Sequence, residues 1–150
     1  MTRNNADDLH KLTPHEVGFF FNALVSAREG FGVVARVISK EYGIGRRGPW
    51  MIGVIGRGPV SPNELATRNR IGRSLVSAEL NLLQTAGLIR QEKNSRDGRR
   101  IELSLTREGE VVYQRLADDL ASLLRNRLGK HSRQEINACA QMLSEFGAQS

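Results

Sequence analysis

One cysteine, Cys139, stands in 150 residues, so no internal disulfide can form. A reducing, cytoplasmic setting is the expectation that follows. Aromatic residues make up only 5% of the chain and β-branched runs are short, which argues against an all-β fold. No stretch approaches 18 uninterrupted apolar residues, so a membrane span is not expected. The segment from Met1 to Leu12 is polar and of mixed charge, without the apolar stretch of a secretory signal. His10, His15 and His131 lie far apart and show no metal-ligand spacing. Neither a G-x-S-x-G elbow, a phosphate-binding loop nor a dinucleotide fingerprint occurs. Catalysis, a metal and a cofactor are therefore not expected.

What the chain does have is basic charge in one place. Between Arg57 and Arg100 lie nine basic residues (Arg57, Arg68, Arg70, Arg73, Arg90, Lys93, Arg96, Arg99 and Arg100) and four acidic ones (Glu64, Glu79, Glu92 and Asp97). That segment carries a net +5 of the chain's +6. A local excess of this kind is the footprint expected of a surface that meets a polyanion.

Three capping boxes punctuate the chain: Thr13–Glu16 and Ser61–Glu64, each with proline at the first helical position, and Ser132–Glu135 without it. They predict helices starting at Pro14, Pro62 and Arg133. The first should reach Tyr42 and stop at Gly43, with Val17, Phe20, Phe21, Leu24, Phe31, Val34 and Ile38 near helical spacing. Phe19, Ala23, Val33 and Val37 make it apolar on other faces too, so it needs more than one partner. Glycines at 30 and 32 predict a bend or break near Glu29–Gly32. A short helix is expected from Pro49 to Gly56, then one from Pro62 to Asn69 and one from Arg73 to Ala86, closed by Gly87. Leu88–Lys93 and Arg100–Leu105 read as a hairpin, with Ile101, Leu103 and Leu105 alternating against polar neighbours. A helix from Glu108 to Leu128 carries Val112, Leu116, Leu120 and Leu123 on one face, and a last helix spans Arg133–Phe146. The apolar stripes of the terminal helices exceed what one small chain can hide, and symmetric pairing covers them.

At about 100° per residue, Val76, Leu80 and Leu83 fall on one side of the Arg73–Ala86 helix. The opposite side holds Ser74, Ala78, Asn81 and Thr85, short and uncharged, so a DNA major groove can approach closely. Asn81 suits an adenine edge, Ala78 a thymine methyl, and Arg73 at the helix start a phosphate. Leu75 and Leu82 share a flank with no assigned partner. The hairpin tip carries Arg96, Asp97, Arg99 and Arg100, where Asp97 can brace Arg99 for a backbone or minor-groove contact. A solvated charged turn is the plainer alternative for the tip, and an ordinary amphipathic helix for its neighbour.

These pieces in this order resemble the winged-helix domain of the MarR family of bacterial transcription regulators. The matching residues are Ser61-Pro-Asn-Glu-Leu-Ala66, Val76-Ser77, Leu83, Ala86-Gly87-Leu88-Ile89, the Asp97-Gly-Arg99 wing motif and Leu105-Thr106-Arg-Glu-Gly109. Trp50 is similar to a tryptophan in the family's second helix. One departure stands out: Ala78 occupies the place after Val-Ser where many members carry a long basic residue. Readout then falls more to Ser74, Ser77, Asn81 and DNA shape.

The resemblance implies a mostly α fold with a small β-hairpin wing. Residues 45–109 would form the winged helix-turn-helix domain, and residues 1–44 and 110–150 the dimerisation helices. It implies a homodimer on near-palindromic double-stranded DNA, acting as a repressor. It also implies a small ligand between the two regions, and Arg28, Arg46, Arg47 and Trp50 would suit an aromatic carboxylate or its thioester. Trp50 as plain core with solvated arginines is the competing reading. Cys139, among Ile136, Ala138, Ala140 and Leu143, is expected to be a buried, inert thiol, with the redox sensing of some relatives as the alternative. Two further functions stay open: DNA binding without an effector, and a winged-helix module whose basic face meets an acidic protein.

Overall fold

The computed structural model describes residue 9 and residues 11–69, 71–93 and 100–148. Helix α1 (Pro14–Tyr42) opens with its capping box closed on both sides. The Thr13 hydroxyl accepts the Glu16 N–H at 3.3 Å, and Glu16 Oε2 accepts the Thr13 N–H at 2.8 Å. Gly43, at φ 63°, ends it in the left-handed region that favours glycine. Then follow α2 (Gly48–Ile55), α3 (Pro62–Asn69) and α4 (Arg73–Thr85). The hairpin β1 (Ile89–Lys93) and β2 (Ile101–Leu105) comes next, before α5 (Arg107–Leu128) and α6 (Arg133–Gly147). The result is mostly helical with one small wing.

The expected break at Glu29–Gly32 does not occur; α1 runs through it. Gly30 is buried because α5 lies over it. A Cβ there would come 3.3 Å from Arg127 and 3.7 Å from Leu123. Close packing with α5 outweighs the weak helix propensity of glycine.

The hairpin is antiparallel, with Ile89 opposite Leu105 and Lys93 opposite Ile101. Val60 adds a bridge to Leu103, whose N–H donates to the Val60 carbonyl at 2.8 Å. Leu103 and Leu105 are buried as the alternation requires, but Ile101 is 45% exposed. It pairs with Lys93 at the far end of the ladder, beyond the helices that cover the other two.

One core joins the elements. Ile38 of α1, Met51, Ile52 and Ile55 of α2, Leu65 of α3, and Val76, Leu80 and Leu83 of α4 meet Leu88, Leu103, Val112 and Leu116. The ends of the chain are different. Val17, Phe19, Phe20, Phe21 and Val25 on α1 and Met142, Leu143 and Phe146 on α6 are exposed, and no residue of α6 is buried. Phe20 meets Phe146 edge to face at a centroid distance of 5.4 Å, so the open faces of α1 and α6 adjoin.

One more expectation is corrected here. Cys139 is exposed rather than buried, because none of the described residues packs on α6 closely enough to bury it. Helix α1 contains an 18-residue window of mean hydropathy 1.2, only 6% buried. By length and composition it could cross a bilayer. Counting uninterrupted apolar runs overlooks it, since Gly18, Asn22 and Ser26 punctuate the stretch. A helix covered by a protein partner has the same composition.

Candidate nucleic-acid interface and adjoining cavity

Helix α4 is set by its buried side. Val76, Leu80 and Leu83 point into the core, as the wheel requires, and Gly72 precedes the helix without a side-chain cap. Its first-turn amides are therefore not taken up by a capping side chain, and they present the positive end of the helix dipole beside the exposed Arg73. Ser74, Ser77, Ala78, Asn81 and Thr85 are all exposed, forming one face free of long side chains. Leu82 is 44% exposed on its flank, and Leu75 is half-buried. At the other end, Gln91 Nε2 donates to Gln84 Oε1 at 3.2 Å and ties α4 to the wing.

Helix α3 is the first limb of the helix-turn-helix. Its box is also complete: Ser61 N–H donates to Glu64 Oε2 at 2.7 Å, and Glu64 N–H donates to the Ser61 hydroxyl at 3.2 Å. These bonds hold the Glu64 carboxyl below its usual range, with Arg100 and Arg68 adding a smaller pull. Arg100 lies 3.9 Å from Glu64, so it leans back on α3 while staying mostly exposed. Arg90 is held along the wing by Ser104 Oγ at 3.1 Å and Glu92 at 3.3 Å. Arg96, Asp97 and Arg99 lie outside the described residues.

Between α1 and the start of α2 lies a cavity of about 650 Å³. Arg28, Glu29, Phe31, Gly32, Ala35 and Arg36 of α1 form one wall, Arg46, Arg47 and Trp50 another, and Ile71 closes the end toward α4. All four residues expected of a ligand site, Arg28, Arg46, Arg47 and Trp50, are brought together here. Four guanidinium groups face one carboxylate, and none of the four is ion-paired to another described residue. The chemistry suits an anion with an apolar body, since Trp50, Phe31 and Ile71 supply the apolar surface.

Sequence reading missed Arg36, although it stands eight residues after Arg28 and so shares its face of α1. It also missed Glu79. That residue is buried at 8% exposure on α4, with Oε2 lacking any hydrogen-bond partner. A charge falling inside the apolar arc of an amphipathic helix was the available signal.

Residues 42–100 match the model of the MarR family. The homoprotocatechuate degradative operon repressor of Escherichia coli is 25% identical over 125 residues, spanning 83% of this chain and 84% of that protein. The crystal structure of NadR in complex with 4-hydroxyphenylacetate superposes with a TM-score of 0.74 at 25% identity, over 93% of this chain and 96% of that one. FabT of Streptococcus pneumoniae, solved in complex with DNA, gives a TM-score of 0.64 at 18% identity, over 89% and 94% of the two chains.

Proposed function

We propose that the chain is a winged helix-turn-helix transcription regulator of the MarR family, a homodimeric repressor released from its operator by a small aromatic carboxylate or thioester. The observation that carries the reading is the cavity. It gathers four arginines and Trp50 between α1 and the helix-turn-helix, where a bound anion can bias how the two are disposed. The similar NadR holds 4-hydroxyphenylacetate, an acid of this class, and the similar E. coli repressor is named for an operon that degrades a related one.

DNA contact is assigned to α4 and the wing. Arg73, Ser74, Ser77, Ala78 and Asn81 face the major groove, and Arg96, Asp97, Arg99 and Arg100 serve the backbone or minor groove. FabT, which shares the fold, is known bound to DNA. Residues 45–109 act as the reading head. Residues 1–44 and 110–150 supply the subunit interface, where a second copy would cover Phe19, Phe20, Phe21, Leu143 and Phe146. This accounts for the apolar composition of α1 without a bilayer and puts the protein in the cytoplasm with its DNA. It also leaves Cys139 on a helix that the partner helps to cover.

The test has three arms. Selection from random duplexes should yield a near-palindromic site bound with steep salt dependence. Sedimentation should show a dimer at micromolar concentration, and Leu143→Asp should split or unfold it. Titration of aryl acids, 4-hydroxyphenylacetate among them, and of their thioesters should change Trp50 emission and release the duplex. Binding to duplexes without sequence preference would overturn the regulator's DNA assignment, and a silent ligand panel would overturn the effector.

A further inference from the structure

We propose that Glu79 is a positioning residue: its buried carboxylate, pressed on Gly45, carries the state of the arginine-lined cavity to helix α4. The inference rests on reading that cavity as an effector site. It concerns a contact on the far side of the turn that forms the cavity wall.

Gly45 is where three helices meet. Its carbonyl accepts the Ser39 hydroxyl of α1 at 3.2 Å and the Gly48 N–H of α2 at 2.9 Å. Ile44 beside it is buried, with its N–H bonded to the Ser39 carbonyl at 3.1 Å. The turn is thus pinned to α1 and α2 and moves with them as one piece. The third contact comes from α4. A Cβ placed on Gly45 would overlap all three atoms of the Glu79 carboxylate. The carboxylate lies flat on the bare Cα, in space that any other side chain would fill.

This seat is not built for stability. Glu79 is 8% exposed, and Oε2 has no hydrogen-bond partner. A buried carboxylate oxygen without a donor is unfavourable unless positive charge lies near. The next two residues after Gly45 are Arg46 and Arg47, whose side chains line the cavity. An anion bound there would engage those guanidinium groups and pull on the same turn. Two effects then reach α4 together. The bare Cα shifts under the carboxylate, and the field that offsets its charge is drawn toward the ligand. Because α4 carries Ser77, Ala78 and Asn81 around Glu79, a small displacement at the seat changes how that face meets a groove. Packed interiors transmit such shifts rather than absorbing them.

The experiment measures affinity for the selected duplex by fluorescence anisotropy, with and without 4-hydroxyphenylacetate as probe. The proteins are wild type, Gly45→Ala, Glu79→Ala, Glu79→Gln and the Gly45→Ala/Glu79→Ala double variant. Gly45→Ala should weaken duplex binding at least tenfold, but less than threefold when Glu79 is already alanine. Glu79→Gln keeps the shape and removes the charge. It should bind the duplex within threefold of wild type and melt no lower, yet lose at least two thirds of the probe-induced release. Equal damage by Gly45→Ala in both backgrounds overturns the proposal. So does a Glu79→Gln protein whose stability and affinity fall together while its release ratio stays intact, the pattern of a merely structural role. A wild-type protein that binds the duplex but answers neither by release nor by Trp50 emission overturns the effector reading, and this inference with it.

Discussion

Thr106 and Gly87 are joined by a hydrogen bond of 2.6 Å, from the threonine hydroxyl to the glycine carbonyl. Gly87, at φ 71°, ends α4, and Thr106 is the N-cap of α5, whose hydroxyl also accepts the Gly109 N–H at 3.0 Å. One side chain thus closes the wing at its base and fixes the exit of α4 against the start of α5. Thr106→Val keeps the shape and removes both bonds. It should lower unfolding free energy by about 0.5–2 kcal/mol, the usual range for removing a cap. Thr106→Ser should stay near wild type. Urea denaturation of the three proteins checks this, and equal losses for valine and serine would contradict the bonding role.

A neighbouring position should be less forgiving. A Cβ on Gly109 would overlap the carbonyl oxygen of Leu88, a residue with 0% exposure. The obstacle is main chain and cannot swing aside. Gly109→Ala is therefore expected to destabilise by about 1–3 kcal/mol, the range for overpacking. Glycine at the exposed Gly18, where a Cβ meets nothing within 4 Å, offers the contrast: Gly18→Ala should stabilise α1 slightly. The same denaturation series measures both.

Asn81 is exposed on the small-residue face of α4, opposite Leu80 and Leu83. Asn81→Ala should weaken binding to the selected site by about 1–3 kcal/mol and leave random duplex nearly unaffected. Equal weakening on both would mean that Asn81 does not read bases.

The wing gives a prediction of opposite character. Arg99→Ala should weaken binding on every sequence and reduce the salt slope by about 1 for each phosphate no longer neutralised. Asp97→Ala should weaken it too, although simple charge counting predicts the reverse. Tighter binding by Asp97→Ala, read in the same salt titration, would end the bracing argument.

The three capping boxes make stability acid-sensitive. Glu16, Glu64 and Glu135 all titrate below their ordinary value, first because the backbone N–H of Thr13, Ser61 or Ser132 donates to the carboxylate. A lowered folded value means that the contribution is complete above the ordinary glutamate value. It fades as pH falls from there through the lower value held in the fold. All three groups are solvated, so each effect is small. Glu64→Gln should flatten part of the acid limb of a denaturation-midpoint profile. A steeper limb in the variant would reverse the sign and exclude the cap as its source.

Local chemistry announces itself in sequence, which is why element boundaries could be read so closely. Thr13, Ser61 and Ser132 with their partner glutamates, and Gly43 and Gly87 in left-handed backbone, each act within a few residues of themselves. Interactions that span the chain are different. Nothing near Gly30 says that α5 lies over it and holds α1 unbroken. Ile101 obeys the alternation of β2 yet is exposed, because alternation does not say how far the covering helices extend. Cys139 sits in an apolar neighbourhood along the helix, but burial needs a second surface that the described residues do not provide.

The candidate surfaces divide the same way. The short-side-chain face of α4 follows from helical period alone, so Ser74, Ala78 and Asn81 could be placed on it before any fold was known. That Arg28, Arg46, Arg47 and Trp50 share one cavity with Arg36 depends on how α1 crosses the turn before α2. The seat of Glu79 on Gly45 brings together residues 34 positions apart. Periodicity and capping are properties of neighbouring residues, and the sequence determines them directly. Which distant groups touch is decided by how the helices pack, and only the tertiary structure holds that.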